Sequence, residues 1–198
     1  MGLPRPAVNP SRRSLLAAAA STALALRAGV AAAHNNAGLV SPGQPPPPVA
    51  LVLDDDTPSS LATLLAGHVT AVQLIFTSCQ ATCPIQGALF AEAAKKLSDS
   101  NKPAQFLSIS IDPARDTPAA LREWLKRFGR SPRWRAAQPD KRQLESLTTF
   151  LKSKIAGPDP HTAQVYYFDR IPELVMRSVD FPQSSEIVKM LEQLASKK

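Results

Sequence analysis

One stretch constrains this chain more than any other: Val69-Thr-Ala-Val-Gln-Leu-Ile-Phe76 is apolar and rich in β-branched residues, interrupted only by Thr70 and Gln73. Such a run reads as a strand buried in a sheet, with both faces needing cover. Helical segments are at hand to supply it. Gln86 to Leu97 repeats Leu89, Phe90, Ala93 and Leu97 at helical spacing. Phe106 to Ile111 is a second strand, and Thr117-Pro118 starts a helix through Phe128, with Thr117 as N-cap and Pro118 as the first helical residue. Asp140 and Gln143 read as a capping box for a helix through Lys152. Val165 to Asp169 and Leu174 to Val179 are later strands, and Ser184 to Ala195 is an amphipathic helix through Ile187, Val188, Leu191 and Leu194. The order β-α-β-α-α-β-β-α predicts a mixed α/β fold, a central sheet with helices on both sides. No internal repeat is present.

The only two cysteines, Cys79 and Cys83, stand where the first strand gives way to its helix. Four residues is about one helical turn, so in a coil the two sulfurs project from one side. Backbone N–H groups at a helix start favour the thiolate. A disulfide used only as a staple is a poor use of this pair, because so small a ring removes little entropy from the unfolded chain. Redox chemistry and soft-metal binding are the readings the spacing favours.

Residues 1–33 are basic and apolar and hold no carboxylate. Ser11-Arg12-Arg13-Ser14 precedes an apolar run from Leu15 to Leu26, and Ala31-Ala32-Ala33 offers a cleavage site. The run falls short of the roughly 20 residues that cross a bilayer. The segment is expected to be a cleaved export signal, with an arginine pair of the twin-arginine kind, leaving a periplasmic protein that is soluble after cleavage and membrane-anchored if the signal stays. Without its four arginines the formal charge of +7 falls to +3. The remaining basic groups, such as Lys95-Lys96 and Lys126-Arg127, are scattered and not interleaved with aromatics, which argues against a nucleic-acid partner. His34 to Pro48, ending in Pro45-Pro-Pro-Pro48, is expected to be an extended, poorly packed spacer. Val49 to Lys198, about 150 residues, is then one ordinary domain.

Three motifs in this domain carry a resemblance: Phe76-Thr-Ser-Cys-Gln-Ala-Thr-Cys-Pro84, Ser110-Ile-Asp-Pro-Ala-Arg-Asp-Thr-Pro118 and His161-Thr-Ala-Gln-Val-Tyr-Tyr-Phe-Asp169. In their order and spacing, residues 49–198 resemble the Sco/SenC family of copper-delivery proteins. The resemblance implies a thioredoxin-like fold, with Cys79, Cys83 and His161 as copper ligands. It also implies delivery of copper to the dinuclear copper centre of a terminal oxidase. Because a Cys79–Cys83 disulfide would remove both soft donors, an external thiol reductant or copper donor is a further expected partner, and the chain is expected to be a monomer. The donor chemistry agrees, since two thiolates suit Cu(I) and an added imidazole also suits Cu(II). Pro160 stands where the family commonly has Asp, and Asp159 is the nearby candidate to orient the imidazole in its place.

The competing function is a thiol-disulfide oxidoreductase, in which Cys79 and Cys83 form the redox-active pair and His161 is not required. A thiol peroxidase fits poorly, because Phe76 and Val72 stand where peroxiredoxins place a threonine and a proline. A closed zinc site would want a fourth ligand, and there is no third cysteine. Asp112, Arg115 and Asp116 read as a polar turn serving the start of the next helix. His68 reads as a solvated turn residue. Trp124 and Trp134 read as core or rim aromatics, with Trp134, between Arg133 and Arg135, a partner contact if exposed. His34 would become the amino-terminal residue after cleavage and could then chelate Cu(II) through amine and imidazole.

Overall fold

The computed structural model describes Gly2, residues 36–154 and residues 161–196. Among the described residues eight strands form one sheet: β1 (Gly38–Gln44), β2 (Ala50–Leu53), β3 (Pro58–Ser60), β4 (Val69–Ile75), β5 (Ala104–Ser110), β6 (Trp134–Pro139), β7 (Tyr166–Phe168) and β8 (Leu174–Arg177). Their spatial order is β1-β8-β7-β4-β5-β6-β2-β3. β4 runs parallel to β5, β5 parallel to β6, and β4 antiparallel to β7. The described helices are α1 (Leu61–Leu65), α2 (Thr82–Lys96), α3 (Pro118–Lys126), α4 (Leu144–Leu151) and α5 (Ser184–Ala195).

The long apolar run is indeed the middle of the sheet, and every residue of β4 is buried. Side chains that alternate along it feed two separate cores. Val69, Ala71 and Ile75 pack with Cys83 and Phe90 of α2, Leu121 and Trp124 of α3, and Ile187 and Leu191 of α5. Val72 and Leu74 face the opposite side, with Leu61 and Leu65 of α1 and Leu147 and Leu151 of α4. The α/β prediction, with helices on both sides of a central sheet, therefore holds.

Several local expectations are corrected. α2 begins at Thr82, before Pro84, because proline is tolerated in the first turn, where no intrahelical acceptor awaits its missing N–H. The Asp140/Gln143 capping box does not form: the Gln143 side chain accepts from the Ala50 N–H at 2.7 Å, and Asp140 accepts from the Arg142 N–H at 2.8 Å. Thr117 and Pro118 do start α3, and the Thr117 hydroxyl accepts from the Ala120 N–H. Part of the expected spacer is not a spacer, since Gly38–Gln44 pairs antiparallel with β8. Main-chain pairing at a sheet edge needs no apolar pattern, and this strand is largely exposed. Pro45–Pro48 carry no regular structure between β1 and β2. β6 was not anticipated; it puts Trp134 in the core, where its indole N–H donates to Ser108 Oγ at 2.9 Å, so Trp134 is no surface contact. Apart from Gly2, residues 1–33, together with His34, Asp159 and Pro160, lie outside the described residues.

Candidate metal centre

The cysteine loop leaves the carboxyl end of β4 at Phe76 and turns at once, with the Cys79 N–H donating to the Phe76 carbonyl at 3.1 Å. The chain then enters α2 at Thr82 without a conventional capping side chain at Ala81. Cys79 takes that role, since its Sγ accepts from the Cys83 N–H at 3.4 Å and lies 3.5 Å from the Thr82 hydroxyl. A helix start has unpaired N–H donors, and a sulfur that accepts from them gains most when it carries negative charge.

The two thiols are consequently unequal. Partial burial pushes the Cys79 thiol up, but hydrogen bonds from Thr82 and from the backbone at Cys83 and Ala81 outweigh it and leave it below the usual thiol range. Cys83 is fully buried, and burial pushes its thiol up to about 12 despite a hydrogen bond from the Phe76 backbone. The expectation of thiolate stabilisation at the helix start therefore applies to Cys79 alone. Both cysteines are free, in direct contact with each other through the Cys83 backbone.

His161 arrives from a different part of the chain. Its backbone bridges Lys154 just past α4, and the neighbouring Thr162 N–H donates to the Ser153 carbonyl at 2.9 Å. Arg177 of β8 secures the end of α4 by donating to the Phe150 and Leu151 carbonyls, each at 3.1 Å. The imidazole is buried, with Nδ1 2.9 Å from the Thr162 carbonyl. A carbonyl only accepts, so Nδ1 donates in that contact, which in the neutral ring leaves Nε2 as the acceptor. The ring meets Phe76 edge-on, with centroids 6.0 Å apart. Thus Cys79 and Cys83 are brought together, while His161 packs on the residue that opens their loop. Among the described residues no three His, Cys, Asp or Glu side chains form a ready metal cluster.

Asp116 has a part that its place in the sequence conceals. Its carboxylate, only 1% exposed, accepts from the Thr77 N–H at 3.1 Å, the Thr77 hydroxyl at 2.6 Å and the Ser110 hydroxyl at 2.7 Å. It belongs to the cysteine loop as much as to the start of α3. The sole hint in sequence is an acid that follows two strands, one ending in Ser110 and the other followed two residues later by Thr77. Asp112 fits the helix-start reading, pairing with Arg115 at 2.9 Å. His68 is exposed in a turn, as expected.

Comparison with known proteins agrees with this architecture. The family model described as SCO1/SenC matches residues 50–195. The chain belongs to the SCO1/SenC family. A SCO2-like protein of Rickettsia conorii is 31% identical over 98 residues, 48% of this chain and 47% of that protein. The match thus spans about half the length of that relative. Among solved structures, yeast Sco1 with copper bound superposes with a TM-score of 0.66 at 20% identity, covering 78% of this chain and 91% of that one. BsSco, in which a disulfide switch was identified and which is a member of the Sco family of cytochrome c oxidase assembly proteins, gives 0.68 at 20% identity, covering 79% and 96%. These likenesses establish that this SCO1/SenC chain has the thioredoxin-like Sco fold. In this SCO1/SenC domain, no helix among the described residues is long and apolar enough to cross a membrane.

Proposed function

We propose that this chain binds copper through Cys79, Cys83 and His161 and passes it, outside the cytoplasm, to the dinuclear copper centre of a terminal oxidase. Copper is the cargo. What supports this reading is that Cys79 and Cys83 meet just past the carboxyl end of β4, while the His161 ring packs edge-on against Phe76, the residue that opens their loop. Two thiolates are soft donors that suit Cu(I), and the imidazole extends the set to Cu(II). Deprotonation accompanies binding, and Cys79, whose thiolate is already favoured, yields its proton first. Yeast Sco1, a fold relative, has been seen with copper bound, which supports the cargo. The Sco family's part in cytochrome c oxidase assembly supports the recipient. Export rests on residues 1–33, and an external reductant is required because a Cys79–Cys83 disulfide would remove both soft donors.

A second reading, thiol-disulfide exchange, is favoured by the inequality of the thiols. A half-exposed, activated Cys79 beside a buried Cys83 is the arrangement of an attacking and a resolving thiol. His161→Ala separates the two. The copper reading expects the variant to lose Cu(II) binding and oxidase loading while Cu(I) binding and reduction of a model disulfide largely survive. Full copper loading by His161→Ala, abolished only by Cys79→Ser or Cys83→Ser, would leave thiol exchange as the better account.

A further inference from the structure

We propose that Asp116 is a positioning residue for the dithiol, fixing the Cys79 loop in its reduced geometry through Thr77. It rests on the reading of Cys79 and Cys83 as a working thiol pair. The Asp116 carboxylate is buried among donors from three places. Thr77 gives an N–H and a hydroxyl from the cysteine loop, Ser110 gives a hydroxyl from the end of β5, and Asp116 itself immediately precedes the start of α3. Ser110 is in turn fixed by the Asp112 N–H, which donates to its Oγ at 3.0 Å. The ends of two parallel strands and the start of a helix therefore meet on one carboxylate, whose loop partner Thr77 is two residues from Cys79.

The consequence differs between the two redox forms. With both cysteines free, the Cys79 sulfur is held over the α2 start by weak contacts, 3.4 Å to the Cys83 N–H and 3.5 Å to Thr82, and its backbone by the 3.1 Å bond to the Phe76 carbonyl and by how firmly Thr77 is held. Once a Cys79–Cys83 disulfide forms, the covalent bond itself holds the loop, and the carboxylate clamp matters less. Losing the clamp should therefore cost the dithiol more than the disulfide. Hydrogen bonds to a buried charge are the strong kind, so the difference is large enough to measure.

The test is an equilibrium of the full, metal-free chain in glutathione buffers. Cys79 and Cys83 lose two electrons and two protons as their S–S bond forms, and one glutathione disulfide takes them up to become two glutathione thiols. Asp116→Asn is expected to move this equilibrium about tenfold toward the protein disulfide, about 30 mV for a two-electron couple. Thr77→Val, which keeps the N–H, should move it in the same direction by about threefold, and Thr77→Ser, which keeps the hydroxyl, should restore it to within about twofold of the parent. Urea unfolding of each variant in both redox forms supplies the control: a merely structural carboxylate lowers the stability of both forms equally and leaves the equilibrium unmoved. An unchanged equilibrium in Asp116→Asn, or one shifted toward the dithiol, overturns the proposal. Should Asp116→Asn fail to fold, Thr77→Val decides by the same criterion. A parent protein that does not exchange with glutathione at all would instead overturn the dithiol reading beneath it.

Discussion

Cys79 and Cys83 are the same side chain in two environments, and the difference comes from where each falls on α2. Cys79 lies before the helix and caps it with a sulfur, whereas Cys83, at the second helical position, points into the core beside Ile75 and Phe90. Reduced, metal-free protein treated briefly with iodoacetamide should therefore carry the label on Cys79, with Cys83 reacting only after unfolding. Peptide mass analysis checks this, and equal labelling of both would contradict the assigned burial. Because the Cys79 thiol is held below its ordinary range, its labelling rate should reach its plateau at a lower pH than that of a free cysteine. The spacing of the two thiols at a strand-to-helix junction is legible in the sequence; their inequality is not, since the apolar pattern starts the helix at Gln86, whereas α2 starts at Thr82 and so takes in Cys83 but not Cys79. Asp116 escaped for a related reason, because its partner Thr77 is 39 residues away in the chain.

At the scale of elements, sequence reading succeeds where burial is strong and fails where the backbone does the work. Val69–Ile75 and Ser184–Ala195 follow from apolar pattern almost to the residue. β1 and β6 do not, since an exposed edge strand and the sequence Trp134-Arg-Ala-Ala-Gln-Pro139 lack alternation and gain their places by pairing with β8, β5 and β2. Helix packing sets limits that composition hides as well. Gly87 lies inside α2, where a Cβ would run into the ring of Phe128, just past α3. Gly87→Ala should then destabilise the protein by about 1–3 kcal/mol through overpacking, outweighing the gain of about 1 kcal/mol in helix propensity. Urea midpoints measure it, and a variant as stable as the parent would mean that Phe128 moves aside freely. The site depends on this packing, because α2 carries Cys83 at its start and Gly87 one turn further on.

The domain that begins at Asn36 is a three-layer sandwich with two cores, and its tyrosines make the burial testable by pH. Tyr166 is pushed up to about 12 by burial, against the hydrogen bond from Thr162, and Tyr167 is raised above its ordinary range, first by burial and then by Glu186. The unfolded phenol gives up its proton at lower pH than the folded one. The stability these residues contribute is therefore complete below about pH 10 and is lost as pH rises toward the folded values. Urea unfolding of the reduced protein should show stability falling from about pH 9 upward, first as the unfolded Cys83 thiol ionises and then as the unfolded tyrosines do, with the fall above about pH 10 smaller in Tyr167→Phe. An identical pH profile in that variant would contradict its burial as a neutral phenol.

Whether the thiol pair and His161 serve copper is decided by copper stoichiometry. Reduced, metal-free protein titrated with Cu(I) in the presence of a competing chelator should take up one equivalent per chain, with Cys79→Ser and Cys83→Ser each abolishing tight uptake and His161→Ala retaining Cu(I) but losing Cu(II). Uptake that persists at full affinity after either cysteine is replaced, or no uptake by the fully reduced parent, would contradict that role.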